Sequence, residues 1–232
     1  MTFRDGEFVK IEYSIWRGSD NLLVMTTEKK LAEENKIYDK EFKYEPRLVI
    51  IGKDNMIKGV VKALKEMNVG EKKKIEIAPE DAFGERMQEL IKVLPVSDFR
   101  KRDMDPIPGM QVEIDGAIAM IRSVNSGRVM IDANHPLAGE KISCEIKVFE
   151  KIDSANEKAK VIMEQYGLTP EKIIAKDKTL SITFNSSVTK DGKYFVDKSS
   201  AIDVILGNID DFEKVIVEEE YKKQEGKKDN EQ

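Results

Sequence analysis

The stretch Met56–Gly84, MIKGVVKALKEMNVGEKKKIEIAPEDAFG, decides how the rest of the chain is read. Ile57, Val60, Val61 and Leu64 recur at i, i+3, i+4 and i+7, and Met56, Ala63 and Met67 widen the same face. So broad an apolar stripe on so short a helix must lie on something, most simply a sheet. Gly70 follows the last periodic residue, where a left-handed turn costs glycine little. Ile75 and Ile77 then alternate with charged residues, as in a half-buried strand. Pro79 ends that strand, and Ala82-Phe83-Gly84 closes a tight loop with an aromatic at its tip. Loop tips are usually exposed, so an aromatic there points to function more than to core.

Working outward, Val9, Ile11, Tyr13 and Ile15 alternate as a strand within 8–15, and a turn at 18–21 leads to its hairpin partner at 22–27. The polar stretch 28–46 is partly helical around Leu31 and Ala32, and 48–51 is a short buried strand. After Gly84 the texture changes. Residues 90–94 are apolar, and PVSDFRKRDMDPIPGM at 95–110 reads as loop, with three prolines. Residues 110–115, 117–124 and 128–133 read as strands, the first two joined at Asp115-Gly116, a favoured hairpin turn. This small sheet leaves and returns at neighbouring points, as an inserted domain does. Ile142, Cys144, Ile146 and Val148 then alternate as a strand returning to the first sheet.

Beyond it, Ser154 and Glu157 have capping-box spacing, and Ala155, Ala159, Ile162, Met163 and Tyr166 form a helical stripe. Strands at 172–175 and 179–185, a helix at 200–209 and a strand at 212–220 complete an α-β-β-α-β segment, 153–221. It is too short for much of a core of its own, so it is expected to pack on a partner, with a second copy of the chain as candidate. Residues 222–232 are charged and read as a disordered tail.

The chain has 232 residues, enough for two or three domains, and 39 Lys and Arg against 44 Asp and Glu give a net charge of −5. That balance argues against a nucleic-acid partner. No apolar run approaches membrane-spanning length and MTFRDGEFVK is not a signal peptide, so no membrane is expected. With Cys144 alone, no internal disulfide forms, and a cytoplasmic protein is expected. No nucleophile elbow, phosphate loop or dinucleotide fingerprint is present. One His and one Cys do not build a structural zinc site of the usual kind, so neither metal nor cofactor is expected.

MIKGVVKALKEMNVGEKKKIEIAPEDAFGE, 56–85, resembles the central helix, strand and loop of FK506-binding-protein (FKBP)-type prolyl isomerases. NHPLAGEKISCEIKVFEKI, 134–152, resembles the last strand of the SlyD branch of that family. Between them lie about fifty residues, where that branch carries an inserted domain. The likeness covers 1–152; the remainder resembles the long-chain archaeal form more loosely, and 28–46 the flap that archaeal relatives insert. The resemblance implies an α+β fold. Residues 1–86 and 136–152 would form an antiparallel half-barrel wrapped on one helix, 87–135 an insert-in-flap chaperone domain, and 153–221 a C-terminal dimerisation or client-binding domain.

It also implies peptidyl-prolyl isomerisation, with Tyr13, Met25, Ile57 and Phe83 as catalytic residues. Val24, Met56, Val60, His135, Leu137 and Cys144 would bind substrate. In relatives the residue at Ile57 offers its backbone N–H to the peptide carbonyl, and that at Val60 forms the floor, as Trp in human-type members and Leu in SlyD. Met25 falls where relatives carry Asp, Phe83 where many carry Tyr, and Cys144 where an aromatic is usual. Without the resemblance, Tyr13 reads as strand core, His135 as a structural histidine and Cys144 as inert packing. Such a reaction breaks no covalent bond, which agrees with the missing nucleophile.

Five of the ten methionines lie in the insert. Leu90, Ile91, Val93, Phe99, Met110, Ile118, Met120, Ile121 and Met130 are its candidate chaperone surface, since a sheet this small does not easily bury both faces. Flexible Met-rich surface suits promiscuous binding; the competing reading is that these methionines fill a small core. The implied partners are unfolded polypeptides and proline-containing peptides, with a homodimer through the C-terminal domain. The alternative function is a holdase-type chaperone whose isomerase cleft is weak or lost, a reading favoured by Met25, Phe83 and Cys144.

Overall fold

A computed structural model describes residues 2–114, 116–185 and 191–221. The elements run β1 (Phe8–Arg17), β2 (Leu23–Thr26), α1 (Lys29–Glu34), β3 (Arg47–Ile50), α2 (Lys58–Leu64) and β4 (Lys72–Ile77). Then come β5 (Ile91–Pro95), α3 (Val96–Arg100), β6 (Gln111–Ile114), β7 (Ala117–Asn125), β8 (Arg128–Asp132) and β9 (Ile142–Ile152). The chain continues through α4 (Ala155–Gln165), β10 (Lys172–Lys176), β11 (Thr179–Phe184), α5 (Gly192–Asn208) and β12 (Lys214–Glu219). Two short 3₁₀ turns, Pro79–Asp81 and Gln88–Leu90, lie between β4 and β5. No helix among the described residues is long and apolar enough to cross a membrane.

β1 is the spine of an antiparallel sheet. One of its edges pairs with β9, which in turn pairs with β4. Its other edge is shared: β3 takes residues 8–11 and β2 takes residues 14–16. Tyr13 therefore sits where one partner strand has ended and the other is about to begin. The period-2 pattern puts Val9, Ile11, Tyr13 and Ile15 on one face, and α2 covers that face with Val60, Ala63 and Leu64, followed by Met67. Burying each large aliphatic side chain contributes about 1.5–3 kcal/mol, so α2 is held by packing more than by its intrinsic propensity. Gly59 lets the helix approach: a Cβ there would come 2.4 Å from Cγ2 of the buried Ile77. Gly70 adopts φ +84° and donates its N–H to Val148 O at 2.9 Å, turning the chain into β4.

The opposite face of the sheet is also covered. Phe8, Leu48, Ile50 and Ile152 join a core made with Ala159, Ile162, Met163, Leu180, Ile182, Phe184 and Ile205. The C-terminal segment thus completes its core on this chain's own first sheet, where a separate partner surface was expected. Its strands run in the order β10-β11-β12, and the parallel β11–β12 pair is bridged by α5, as a parallel pair requires. Ser154 is the N-cap of α4, but its side chain makes no capping hydrogen bond, so the capping-box reading fails. Asp191 caps α5, accepting the Tyr194 N–H at 2.8 Å, and the helix begins earlier than its periodicity indicated. The expectation for 222–232 lies outside the described residues.

The insert is a four-stranded sheet in the order β5-β8-β7-β6. Its core is Phe99, Val112, Ala119, Ile121, Val129 and Ile131. The stretch read as loop contains α3, which drops Phe99 into that core. Phe99 and Ile121, expected on the apolar surface, are 2% and 0% exposed; both are corrections. Asp115 of the expected hairpin turn lies outside the described residues, and Gly116 has φ +77°. At the root of the insert the enclosed Asp132 carboxylate accepts hydrogen bonds from Arg86, from Arg122 Nε at 3.1 Å, and from the Asn134 N–H and Nδ2 at 3.0 and 2.8 Å. Asn134 in turn pairs with the backbone of Met87, accepting at 2.8 Å and donating at 2.9 Å. A buried carboxylate is tolerated when it is paired and hydrogen-bonded in this way.

Candidate functional site

The candidate residues gather where α2 meets β1. Tyr13, Val60 and Cys144 belong to the core between helix and sheet, with Val24, Met56, Ile57 and Phe83 packed half-buried against it. The Tyr13 hydroxyl donates to Met25 Sδ and accepts from Arg47 Nη1, each at 3.4 Å, and Met25 is exposed. The Tyr13 backbone is fixed by Thr27, whose Oγ1 accepts its N–H and whose N–H reaches its C=O, both at 3.0 Å.

Ile57 is the N-cap of α2, extended at φ −51° and ψ 127°, and its C=O accepts from the N–H groups of Val60 and Val61. Its own N–H precedes the first turn, where a helix supplies no acceptor. Phe83 stacks on His135, with ring centroids 4.3 Å apart and planes inclined by 2°. The two loops that carry these rings are tied by the Gly139 N–H donating to Gly84 O at 2.8 Å. His135 Nδ1 accepts the Leu137 N–H at 3.2 Å, which leaves Nε2 to carry the proton of the neutral ring. Partial desolvation lowers the His135 pKa. Burial, helped by the charge of Glu145, pushes the Cys144 thiol up to about 12.

All ten residues are thus connected, but not all are reachable. Val60 and Cys144 are fully enclosed, so they back the cleft and present no surface to a ligand, which corrects their expected direct contact. Leu137, which anchors the His135 ring through its N–H, is also buried, and Tyr13 is 3% exposed, so it meets the surface only through the hydroxyl end that contacts the exposed Met25 and Arg47. Arg47 is the residue that the sequence reading missed. Its signal was register: Arg47 pairs with Ile11 across β1–β3, and so lies on the same face as Tyr13. On the insert, Ile118 and Val93 are 70% and 54% exposed, Met110 and Met130 are exposed, and Leu90, Ile91 and Met120 are half-buried. Met87, one of the insert's five methionines, is exposed as well, and Ile107 adds exposed apolar surface that the reading omitted.

The result is a half-buried apolar cluster with the Tyr13 hydroxyl and the Arg47 guanidinium beside it and the His135 ring stacked on Phe83. A family model described as FKBP-type peptidyl-prolyl cis-trans isomerase matches residues 2–111, and one described as FKBP26, IF domain matches residues 92–137. The chain is 37% identical over 145 residues to a short-type peptidyl-prolyl cis-trans isomerase of Methanocaldococcus jannaschii, spanning 62% of this chain and 91% of that protein. It is 27% identical over 123 residues to a probable FKBP-type 16 kDa isomerase of Pseudomonas fluorescens, 51% of this chain and 81% of that one. Against the SlyD isomerase of Helicobacter pylori it is 33% identical over 117 residues, 48% and 62% of the two chains. The chain belongs to the FKBP-type peptidyl-prolyl cis-trans isomerase family.

Proposed function

We propose that the cleft bounded by Tyr13, Met25, Met56, Ile57 and the Phe83–His135 stack binds X-Pro segments of unfolded polypeptides, and that the insert captures those polypeptides first. The observation that carries this reading is the stack itself, two aromatic rings on tied loops with Phe83 packed against the core between helix and sheet. The barrier to rotation is roughly 18–20 kcal/mol, held up by amide resonance. A twisted amide has lost that resonance and carries less charge separation, so an apolar site favours it relative to either planar form. A thousandfold acceleration needs only about 4 kcal/mol of such preference. The Ile57 N–H holds the peptide carbonyl, Met56 and Phe83 enclose the proline ring, and Val60, Leu137 and Cys144 stiffen the wall from behind.

In this reading residues 1–86 and 136–152 are the isomerase domain and 87–135 the chaperone domain, whose client surface is Val93, Met110, Ile118 and Met130 with half-buried Leu90, Ile91 and Met120. Residues 153–221 form a homodimer interface through exposed Phe195, Val196, Ile174 and Ile216, with the protein acting in the cytoplasm. The test is a refolding reaction limited by proline isomerisation, run with the full chain and with the insert replaced by a short loop. Acceleration by both on a short peptide, but by the full chain alone on an unfolded protein, is the expected outcome. No acceleration of any substrate sinks the reading.

A second reading, a holdase with a weakened cleft, is favoured by one contact: the Tyr13 hydroxyl donates to a thioether, a poor acceptor, where the resemblance implies a carboxylate. It is expected to suppress aggregation without accelerating refolding. Met25→Asp then distinguishes the two, since a restored carboxylate raises the rate only if its absence limits catalysis.

A further inference from the structure

Arg47 is an unusual occupant of its position. The β1–β3 register pairs Val49 with Val9 and Arg47 with Ile11, so this face of β3 continues the apolar face that α2 covers. Val49 is buried there, while Arg47, at the end of the strand, is exposed. Its guanidinium turns to the Tyr13 hydroxyl, 3.4 Å away. Among the described residues no carboxylate forms an ion pair with it. Asp54 feels its charge, but the Asp54 carboxyl is partly buried and accepts the Ile50 N–H at 2.7 Å. Burial raises the Asp54 pKa, opposed by that hydrogen bond and by Arg47. On the other side of Tyr13 stands Met25, which brings no charge. An exposed cation with spare donors therefore stands beside the cleft. Arginine presents five N–H groups in a planar fork that matches a carboxylate.

From this geometry we infer that Arg47 selects substrates by charge, favouring peptides with an acidic side chain next to the proline. The inference rests on the cleft being the X-Pro site. A net charge of −5 disfavours acidic chains at long range, so the preference comes from local contact and not from steering.

The test compares proline peptides carrying Glu, Ala or Lys immediately before the proline, and a second set carrying them immediately after it. The full-length chain is assayed for equilibrium binding and for catalysed cis-trans exchange. In one of the sets the wild type is expected to bind the Glu peptide on the order of threefold to tenfold more tightly than the Lys peptide, the range of a solvent-exposed pair plus the matching repulsion. The ratio shrinks as salt rises from ~0.02 M to ~0.5 M. Arg47→Leu abolishes the ratio, Arg47→Lys keeps part of it and Arg47→Glu reverses it. Because the readout is a ratio within each variant, a general loss of binding cancels.

Equal affinity for Glu and Lys peptides in both sets, or a ratio unmoved by Arg47→Glu, overturns the inference. Peptides bound with the charge ratio but not accelerated overturn the catalytic reading and leave charge selection standing. Acceleration without a charge ratio does the reverse, and peptides that neither bind nor exchange faster overturn both.

Discussion

The first sheet and the insert sheet are built from the same alternating strands, yet one is covered on both faces and the other on one. On the first sheet, Ile11 and Ile146 pack under α2 while Phe8, Leu48, Ile50 and Ile152 pack under the C-terminal segment. In the insert, Phe99, Val112, Ile121 and Val129 close a single small core, and Val93, Ile118 and Met130 are left in solvent. Covered twice, a sheet becomes a rigid frame on which a cleft keeps its geometry. Covered once, it keeps a low local stability and an adaptable surface. Under the proposed function, the doubly covered sheet would hold the isomerase cleft and the singly covered one the client surface.

The sharpest way to break this contrast is to cut into each core. Ile11→Ala is expected to cost about 2–5 kcal/mol, the range for deleting a large aliphatic from a core that does not collapse. The loss should appear in the global denaturant midpoint. Val129→Ala should leave that midpoint in place and raise hydrogen exchange in β5–β8 alone; a global shift of equal size would erase the distinction. Next in size is Asp132→Ala, which leaves Arg86 and Arg122 without their shared carboxylate. Breaking a buried pair typically costs about 3–5 kcal/mol, and with the arginines half-exposed, about 3 is expected. Hydrogen exchange should report the loss in β8 and at residues 86–87, while β1 and β9 stay protected.

Acid sharpens the contrast from the C-terminal side. Burial alone would raise the Glu219 pKa, but hydrogen bonds from Lys198, Tyr194 and Tyr221 outweigh it and lower the value from 4.5 to about 2. A carboxylate with a depressed folded-state pKa contributes its stability above the unfolded value and loses it as pH falls through the folded one. Residues 153–221 should therefore weaken between about pH 4.5 and 2, followed by hydrogen exchange at β12. Glu219→Gln should remove that pH dependence and leave the insert's response unaltered. The smallest effect is chemical: with its thiol pushed up to about 12 by burial, Cys144 should resist iodoacetamide at pH 8 in the native chain and react once the first sheet is unfolded.

Much of this was legible in the residues. The stripe Ile57, Val60, Leu64 and the alternation Val9, Ile11, Tyr13 have only one sensible burial, and the structure realises it. The other face of β1 was harder: Phe8 and Ile152 stand beside Lys10 and Glu150, and nothing local separates a second core from chance apolar residues on a wet face. In β7, Ala117–Ile121 is apolar on both sides, so alternation had no power to say that Ile121 points in and Ile118 out. Phe99 was hidden because a single helical turn between prolines has too few residues to show a period. Arg47 was invisible for a different reason. One arginine before an apolar run reads as a strand flank, and only the cross-strand register turns it toward Tyr13.

Gly59 carries a consequence for the cleft. With no room for even one carbon between that backbone and Ile77, the helix rests directly on the neighbouring strand, and Met56 and Ile57 ride on its leading end. Adding a methyl at residue 59 would lift the helix from Ile77 and carry Met56 and Ile57 with it, so under the proposed function the width offered to a proline ring would be gauged by that missing carbon.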